Sequence, residues 1–176
     1  HSLRRQQRQM CIRDSYIAIQ LNDTHPVIAI PELMRIFLDI ERLSWHEAWE
    51  IVEKTFSYTN HTILAEALEK WWVGLFEQVV PRIYQITQGI DNQLKQLLAE
   101  KFPNDLDRQN RMKIINGNMI HMAWLAIYGS SKVNGVAKLH TEILKTKELK
   151  DWYELYPEKF INKTNGITQR LSLIHI

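Results

Sequence analysis

The chain has 176 residues, of which 45% are hydrophobic and 24% charged, a composition that indicates a folded globular body and excludes general disorder. Its formal charge of +2 comes from residues 1–15, where four arginines face one acid, so the remainder is close to neutral. A near-neutral body argues against nucleic acid as a partner, and no apolar run approaches the roughly 20 residues that a membrane-spanning helix needs.

The two ends of the chain differ from its body. Residues 1–15 have no helical or strand period, and residues 1–15 and 171–176 both resemble translated adapter sequence. We expect both to be sequencing artefacts; a targeting presequence is the alternative for residues 1–15, since transit peptides are also rich in arginine and poor in acids. The single cysteine, Cys11, lies there, so the body has no disulfide framework, which is typical of a cytoplasmic protein.

The body begins with a strand and a helix. Apolar residues alternate from Ile17 to Leu21 before the turn-forming run 22–26, which predicts a buried strand that ends in a loop. Pro31 suits the first turn of a helix. The apolar residues at helical spacing after it are Leu33, Ile36, Phe37 and Ile40.

A capping box at Ser44 and Glu47 predicts the start of a second helix. Its apolar stripe consists of Trp45, Ala48, Trp49, Val52 and Phe56. We expect the helix to end near the polar run 58–62 and a third helix to follow. The residues expected to face inward from that third helix are Leu68, Trp72, Leu75, Phe76 and Val79.

Pro81 is expected to break or kink the third helix, because proline removes a donor and clashes with the preceding turn. The helical period then resumes as far as the turn residues 102–105. The stripe in this part is Ile83, Ile86, Ile90, Leu94 and Leu97. A short helix is expected over residues 108–115. The apolar run 119–128 is compatible with a buried strand or a buried helix.

The last part of the body contains another helix. It follows the pair Asn134-Gly135, and its apolar face is Val136, Leu139, Ile143 and Leu144. Residues 151–160 are expected to be irregular. Mostly helical segments, with a few strands that run into polar loops, indicate part of an α/β protein.

Four polar clusters interrupt the apolar elements, at residues 22–25, 60–62, 134–135 and 162–166. Each lies at the end of a predicted strand or the start of a helix, and open α/β sheets bind ligands outside the carboxyl ends of their strands. Amide and imidazole groups both donate and accept hydrogen bonds, which suits an uncharged polyhydroxyl ligand. Helix capping, turn formation and, for His61, burial in the core are the structural alternatives.

Other chemistries lack support in the sequence. The histidines have no paired metal-ligand spacing, so no metal site is expected. Neither a Gly-x-Ser-x-Gly elbow nor a Walker-type glycine loop occurs. A hydrolase with two catalytic carboxylates has no specific pattern behind it.

Strings at residues 19–26, 58–62, 133–137 and 162–168 resemble those of α-glucan (glycogen, starch or maltodextrin) phosphorylases, in the family's order and at nearly its spacing. Two further strings, at 30–35 and 66–69, match as well. The resemblance covers residues 16–170. The competing hypothesis is a non-catalytic sugar-binding or helical interaction module in which the same loops only cap helices.

The resemblance implies a mostly helical α/β fragment of a two-domain, Rossmann-like glycosyltransferase of the GT-B-like type. Residues 16–165 would belong to the N-terminal phosphorylase domain and residues 166–170 to the start of the domain junction. The implied reaction is cleavage of terminal α-1,4-glucosidic bonds by inorganic phosphate, releasing glucose 1-phosphate. The implied parent is a cytoplasmic homodimer that uses the phosphate of pyridoxal 5'-phosphate as a proton shuttle, and this fragment would be inactive alone.

The resemblance also implies roles for five residues. His61 matches the catalytic-site residue whose side chain holds the glucosyl 6-hydroxyl and whose carbonyl faces the developing positive charge. Asn165 matches an amide that binds the same glucose, and Val136 packs nearby. Asp23 and His25 match residues that line a polar side channel.

Other family features are expected elsewhere or not at all. The cofactor lysine and the phosphate-binding residues would lie beyond Arg170, so no residue of this chain is expected to bind the cofactor. Residues 87–92 do not reproduce the glycogen storage site of animal members, and that function is not expected here.

Overall fold

A computed structural model describes residues 17–64 and 68–164 of the chain. Within these ranges the strands are β1 (Ile19–Asn22), β2 (Phe56–Asn60), β3 (Lys70–Trp72), β4 (Ile115–Asn116), β5 (Met119–His121), β6 (Lys132–Gly135) and β7 (Phe160–Asn162). The α-helices are α1 (Ala29–Arg35), α2 (Trp45–Thr55), α3 (Val73–Val79), α4 (Pro81–Lys101), α5 (Leu106–Met112), α6 (Met122–Tyr128), α7 (Lys138–Ile143) and α8 (Lys150–Leu155). Two π-helical turns, Ile36–Ile40 and Leu144–Glu148, continue α1 and α7, and a 3-10 turn, Pro157–Lys159, precedes β7.

The main sheet is parallel and has the strand order β1-β2-β6-β7. Leu21 lies opposite Tyr58, Asn60 opposite Gly135, and Gly135 opposite Asn162. Because neighbouring strands run in the same direction, their carboxyl ends lie along one edge of the sheet. The mostly helical α/β class expected from the sequence is confirmed.

A second, antiparallel sheet has the order β3-β5-β4. Strand β5 runs directly into helix α6 at Met122, whose N–H donates at 3.1 Å to the carbonyl of Glu69, the residue before β3. The apolar run 119–128 thus contains both of the structures that its sequence allowed: strand β5 and then helix α6.

The core lies between the main sheet and its helices. Helix α4 packs against α1. Fully buried side chains of the core include Ile30, Met34, Ile86, Ile90, Leu94 and Leu98. Each such side chain contributes about 1.5–3 kcal/mol relative to exposure. Trp49 of α2 packs on Tyr128 of α6 with ring centroids 5.1 Å apart.

Several local predictions are confirmed. The Ser44 hydroxyl accepts from the backbone N–H of Glu47, and the Glu47 carboxylate accepts from the N–H of Ser44 at 3.0 Å, so the capping box of α2 is complete. Pro81 separates two helices: α3 ends at Val79, and Pro81 is the first residue of α4. The α4 stripe is buried as expected, except that Leu98 replaces Leu97 as its last fully buried member.

The prediction for residues 56–79 is wrong. Residues 58–60, expected to belong to a polar connection, are in the central strand β2, where the buried polar side chains are hydrogen-bonded: Thr59 to Gln20 of β1, and Asn60 to Tyr58 and Thr62. The expected third helix starts only at Val73, after strand β3. Of its supposed inward residues, Phe76 is buried, but Trp72, Leu75 and Val79 are exposed.

Four further expectations need correction. Ile17 and Ile19 are exposed, because β1 pairs on one side only within the described sheet. Ile40 is exposed, since α1 turns Ile30, Met34 and Phe37 to the core instead. Leu139 is 73% exposed, and Thr141 and Leu144 face inward from α7 and its π-helical turn. The stretch 151–160 contains helix α8 and the start of β7 rather than irregular chain.

No helix in the described ranges combines the length and the apolar character required to cross a membrane.

Candidate functional site

The described residues of the four polar clusters lie at one edge of the main sheet. This edge, together with Val136, is here called the polar edge (residues 22–25, 60–62, 134–136 and 162–164). The clusters follow β1, β2, β6 and β7, which are neighbours in the sheet. Adjacent strands are about 4.8 Å apart, so four strand ends span roughly 14 Å. Residues from distant parts of the chain therefore form one continuous surface at the place where α/β proteins bind ligands.

The end of β1 is fixed by Asp23. Its φ is 66°, a left-handed conformation that aspartate and asparagine adopt more readily than other non-glycine residues. The Asp23 N–H donates to the carbonyl of Thr59 at 2.9 Å, and its Oδ1 accepts from the N–H of Thr24 at 2.8 Å. These bonds turn the chain out of the sheet directly after the strand.

Glu69 anchors this turn from outside the main sheet. Its Oε2 accepts from the buried Thr24 hydroxyl at 2.8 Å and lies 3.4 Å from Nδ1 of His25. Its Oε1 accepts from Nε1 of Trp71 at 2.8 Å. The His25 side chain is 79% exposed, so its contact with Glu69 orients the ring and adds little stability.

His61 and Asn22 link the ends of β2 and β1. The distance between His61 Nε2 and Asn22 Oδ1 is 2.6 Å. Since an amide oxygen only accepts, Nε2 carries the proton, and the neutral ring then has Nδ1 as its acceptor. His61 is exposed, which excludes the alternative of a core histidine. Its imidazole is therefore oriented at the polar edge with one nitrogen available to a hydroxyl donor.

Asn60, next to His61, belongs to the framework of the edge. It is completely buried; its Nδ2 donates to the Tyr58 hydroxyl at 2.9 Å, and its Oδ1 accepts from the N–H of Thr62 at 3.1 Å. Burial raises the pKa of Tyr58, opposed in part by the hydrogen bond from Asn60, so the phenol stays protonated.

The ends of β6 and β7 are joined through Asn134 and Lys163. Asn134 Oδ1 accepts from the Lys163 N–H at 2.6 Å, and Asn134 Nδ2 donates to the Lys163 carbonyl at 3.2 Å. Val136 follows β6 and is half-buried; its N–H donates to Nδ1 of His140 at 3.2 Å. The Asn134 bonds hold the ends of β6 and β7 together, and the Val136 bond attaches the end of β6 to α7.

Of the residues singled out by the sequence, Asp23, His25, His61 and Val136 all lie at the polar edge. Asn165 lies outside the described residues. Sequence reasoning missed the anchoring carboxylate of Glu69 and the contacts of His140 and Asn162. The string 66–69 was a signal for Glu69, but its partner Thr24 is 45 residues away in the chain.

A cavity of about 180 Å³ is lined in part by Glu69, Lys70, His121 and Trp124. His121 stacks on Trp124, and burial together with Lys70 lowers the pKa of His121. None of the candidate site residues that the structure describes (Asp23, His25, His61 and Val136) lines the cavity. In the described part of the chain, no group of three or more His, Cys, Asp or Glu is arranged to bind a metal ion.

Fold and edge together define an α/β protein whose parallel sheet presents amide and imidazole groups at the carboxyl ends of its strands. The sequence model of the Phosphorylase family, described as carbohydrate phosphorylase, matches residues 1–176. The chain belongs to this family.

Individual relatives agree with the family match. The chain is 57% identical over 161 residues to the liver form of glycogen phosphorylase from Bos taurus. The aligned region covers 90% of this chain and 19% of the relative. It is 56% identical over 159 residues to glycogen phosphorylase from Saccharomyces cerevisiae, covering 88% of the chain and 18% of that relative. The chain thus spans about a fifth of the length of the curated relatives it matches.

Proposed function

We propose that this chain is a segment of an α-glucan phosphorylase and forms part of its glucose-binding wall. The intact enzyme would cleave terminal α-1,4-glucosidic bonds with inorganic phosphate and release glucose 1-phosphate. The observation that carries the proposal is the polar edge: four polar clusters of a carbohydrate phosphorylase sequence converge at the carboxyl ends of adjacent parallel strands. Such an edge is suited to an uncharged sugar, because its groups donate and accept without a countercharge.

His61 is the proposed catalytic-site residue, and it acts by orientation. With Nε2–H donating to Asn22, its Nδ1 accepts the hydrogen bond of a sugar hydroxyl, proposed to be the 6-hydroxyl. Its backbone carbonyl would face the positive charge that develops on the sugar. Preorganised dipoles of this kind stabilise a transition state without reorganising during the reaction.

The other proposed sugar contacts flank His61. Val136 would pack against the sugar from the end of β6, and Asn165 would bind its hydroxyls. Asp23 and His25 would line a polar channel beside the reacting carbon. The turn after β1 supports this role, because Asp23 is hydrogen-bonded to Thr59 and His25 lies beside Glu69.

Pyridoxal 5'-phosphate does not fit the lysines near the main sheet. Lys159 is buried, but it lies at the amino end of β7, opposite the polar edge, and its ammonium contacts Glu53 at 3.0 Å. Lys163, at the polar edge, and Lys132, the first residue of β6, are both exposed. We therefore propose that any such cofactor is held by residues outside this chain.

The architecture of the intact protein is also a proposal. We propose a cytoplasmic homodimer with a two-domain, GT-B-like fold, in which residues 16–165 belong to the N-terminal domain and residues 166–170 begin the domain junction. Residues 1–15 and 171–176 are proposed to be sequencing artefacts. The DNA flanking this segment tests the origin of the two ends and the location of the cofactor lysine. The natural reading frame should replace residues 1–15 and 171–176 and should encode a cofactor lysine downstream. A continuous frame without that lysine contradicts the proposal.

The kinetic test uses the intact protein with His61→Ala and, separately, Asn165→Ala. Each variant loses a hydrogen bond to the reacting sugar. The value of kcat/KM for phosphorolysis should therefore fall by an amount that corresponds to about 2–4 kcal/mol of lost transition-state binding. His46→Ala is the matched control, since His46 is an exposed histidine of α2 and is not one of the residues of the polar edge. Normal turnover in both edge variants would instead identify the segment as a non-catalytic module.

A further inference from the structure

The peptide group between Gly135 and Val136 is bound by side chains at both of its polar atoms. Asn162 Nδ2 donates to the Gly135 carbonyl at 2.7 Å, and the Val136 N–H donates to His140 Nδ1 at 3.2 Å. Asn162 comes from β7 and His140 from α7, so two separate elements hold one peptide unit. Its orientation at the polar edge is therefore fixed from both sides.

Thr141 completes this arrangement, here called the peptide clamp (His140, Thr141 and Asn162). Its hydroxyl accepts from Asn162 Nδ2 at 3.0 Å and donates to the Ala137 carbonyl at 2.8 Å. A Cβ on Gly135 would lie 2.3 Å from the Thr141 hydroxyl and 3.0 Å from its Cα. Only glycine fits at position 135, because the backbone of α7 approaches the end of β6 this closely.

The role of His140 fixes its tautomer. A ring nitrogen that accepts from a backbone N–H carries no proton, so the neutral ring is protonated on Nε2. Nε2 is buried and has no hydrogen-bond partner among the described residues. The bond to Val136 is therefore the polar contact that the described residues provide to this part-buried ring.

We propose that His140 and Asn162 are positioning residues that hold Val136 in place for the sugar. This inference rests on the proposed function, because the ligand of Val136 is the glucosyl unit proposed above. His140 and Asn162 need not contact the substrate; they act through the peptide they bind. The alternative is a purely structural role in starting α7, which has no side-chain hydrogen bond at its N-cap Ala137.

The test compares His140→Asn with His140→Gln in the intact protein. The asparagine amide oxygen takes nearly the place of Nδ1 and keeps an acceptor for the Val136 N–H, whereas the longer glutamine places its amide near Nε2. Misplacement of a binding group by about 1 Å costs up to 100-fold in rate. We expect His140→Gln to lower kcat/KM for glucan by about 10- to 100-fold, with KM for phosphate unchanged, and His140→Asn to remain close to the unmodified enzyme.

Asn162→Asp provides a second variant from the opposite side of the peptide. Aspartate has nearly the same side-chain shape as asparagine, but it replaces the amide donor with a carboxylate oxygen that faces the Gly135 carbonyl. We therefore expect kcat/KM for glucan to fall while KM for phosphate stays unchanged. Hydrogen exchange at the Val136 amide gives a readout other than activity. Exchange should be faster in His140→Gln than in His140→Asn.

The outcomes separate the two proposals. Faster exchange and selective loss for glucan in His140→Gln, with rescue by asparagine, support the positioning role. Equal kinetics in His140→Gln and the unmodified enzyme overturn it, and so do equal losses for glucan and phosphate. Absence of phosphorolysis in the unmodified enzyme overturns the proposed function and the sugar role of Val136 together, while the exchange measurement still decides whether His140 holds the peptide.

Discussion

Neighbouring residues at the end of β2 have opposite environments. Asn60 is completely buried, and both ends of its amide are hydrogen-bonded, whereas His61 is exposed and oriented by Asn22. A buried amide of this kind shapes the loop that presents the histidine. Asn60, which supports the loop, and His61, the candidate sugar contact, are therefore adjacent in sequence but have different roles.

Asn60→Ala should destabilise the end of β2 by about 1–3 kcal/mol, because it leaves the Thr62 N–H and the Tyr58 hydroxyl without their partner. Tyr58→Phe removes the other side of the pair, and the double variant should lose less than the sum of the two single losses. The measurement is denaturant unfolding of the intact protein. Strictly additive losses would show that the contact between Tyr58 and Asn60 contributes nothing.

Lys159 contributes an ion pair at the opposite end of the sheet. Its ammonium lies 3.0 Å from Glu53 Oε1 and donates to the Tyr128 carbonyl, at the C-terminal end of α6, at 3.1 Å. Burial lowers the pKa of Lys159, while Glu53 opposes this shift. A lysine whose pKa is lowered on folding binds fewer protons than in the unfolded chain. Stability therefore rises with pH between the folded-state pKa and the ordinary value of about 10.4.

Glu53→Gln removes the compensating charge and should cost about 1–3 kcal/mol at neutral pH, less than for a fully buried pair because Glu53 is partly exposed. Part of this loss should be recovered as the pH rises toward the ordinary lysine pKa, because the lowered pKa of Lys159 lets it lose its charge in the folded protein before it does so in the unfolded chain. Lys159→Met should lack this recovery. Melting temperatures across this pH range provide the measurement, and parallel curves for the two variants would contradict the assignment.

At the scale of single elements, α2 has a start that local sequence determines. Ser44 and Glu47 are three residues apart, and each bonds to the other's backbone. Ser44→Ala should destabilise this helix start by about 1 kcal/mol, observed as faster hydrogen exchange in its first turn. Glu47→Gln is the control, because glutamine also completes a capping box and should exchange more slowly than Ser44→Ala. Equal exchange in both variants would assign the start of α2 to tertiary packing.

Elements determined by local signals were predictable, and those determined by distant partners were not. The stripe of α4 and the break at Pro81 follow from spacing and proline chemistry. Strand β2 was interpreted as a helix end and polar loop, because Thr59 and Asn60 resemble loop residues. Thr59 is buried against a distant partner: the amide of Gln20, 39 residues away, donates to the Thr59 hydroxyl at 2.7 Å. The side chain of Asn60 has local partners, but its strand pairs with β1 and β6, which are far away in the chain.

The same distinction applies to the candidate site. Its clusters could be found because polar residues at strand ends are visible in the sequence, and the parallel topology then brings them to one edge. The contacts that orient them could not be found. His140 carries no motif that indicates an acceptor for Val136, and the approach of Thr141 to Gly135 exists only once α7 packs against β6.

At the scale of the whole molecule, α3 and the adjoining β3 expose apolar side chains. Trp72, Leu75 and Val79 are 58%, 42% and 65% exposed. Leu75 and Val79 are four residues apart, so they lie on the same face of α3. Ile17 and Ile19 are exposed at β1, the outer strand of the described sheet. Exposed apolar patches and open strand edges favour association.

The 176-residue chain expressed alone should therefore aggregate and should show no activity toward glucan and phosphate. About four-fifths of the length of its relatives is missing from it, and we expect that remainder to cover these surfaces in the intact protein. Leu75→Glu with Val79→Lys should reduce aggregation of the isolated chain, whereas Leu139→Glu, a change at an isolated exposed leucine of α7, should not. Size-exclusion chromatography, dye binding and a phosphorolysis assay provide the measurements. A monomeric unmodified chain with a sharp melting transition would show that these surfaces need no cover.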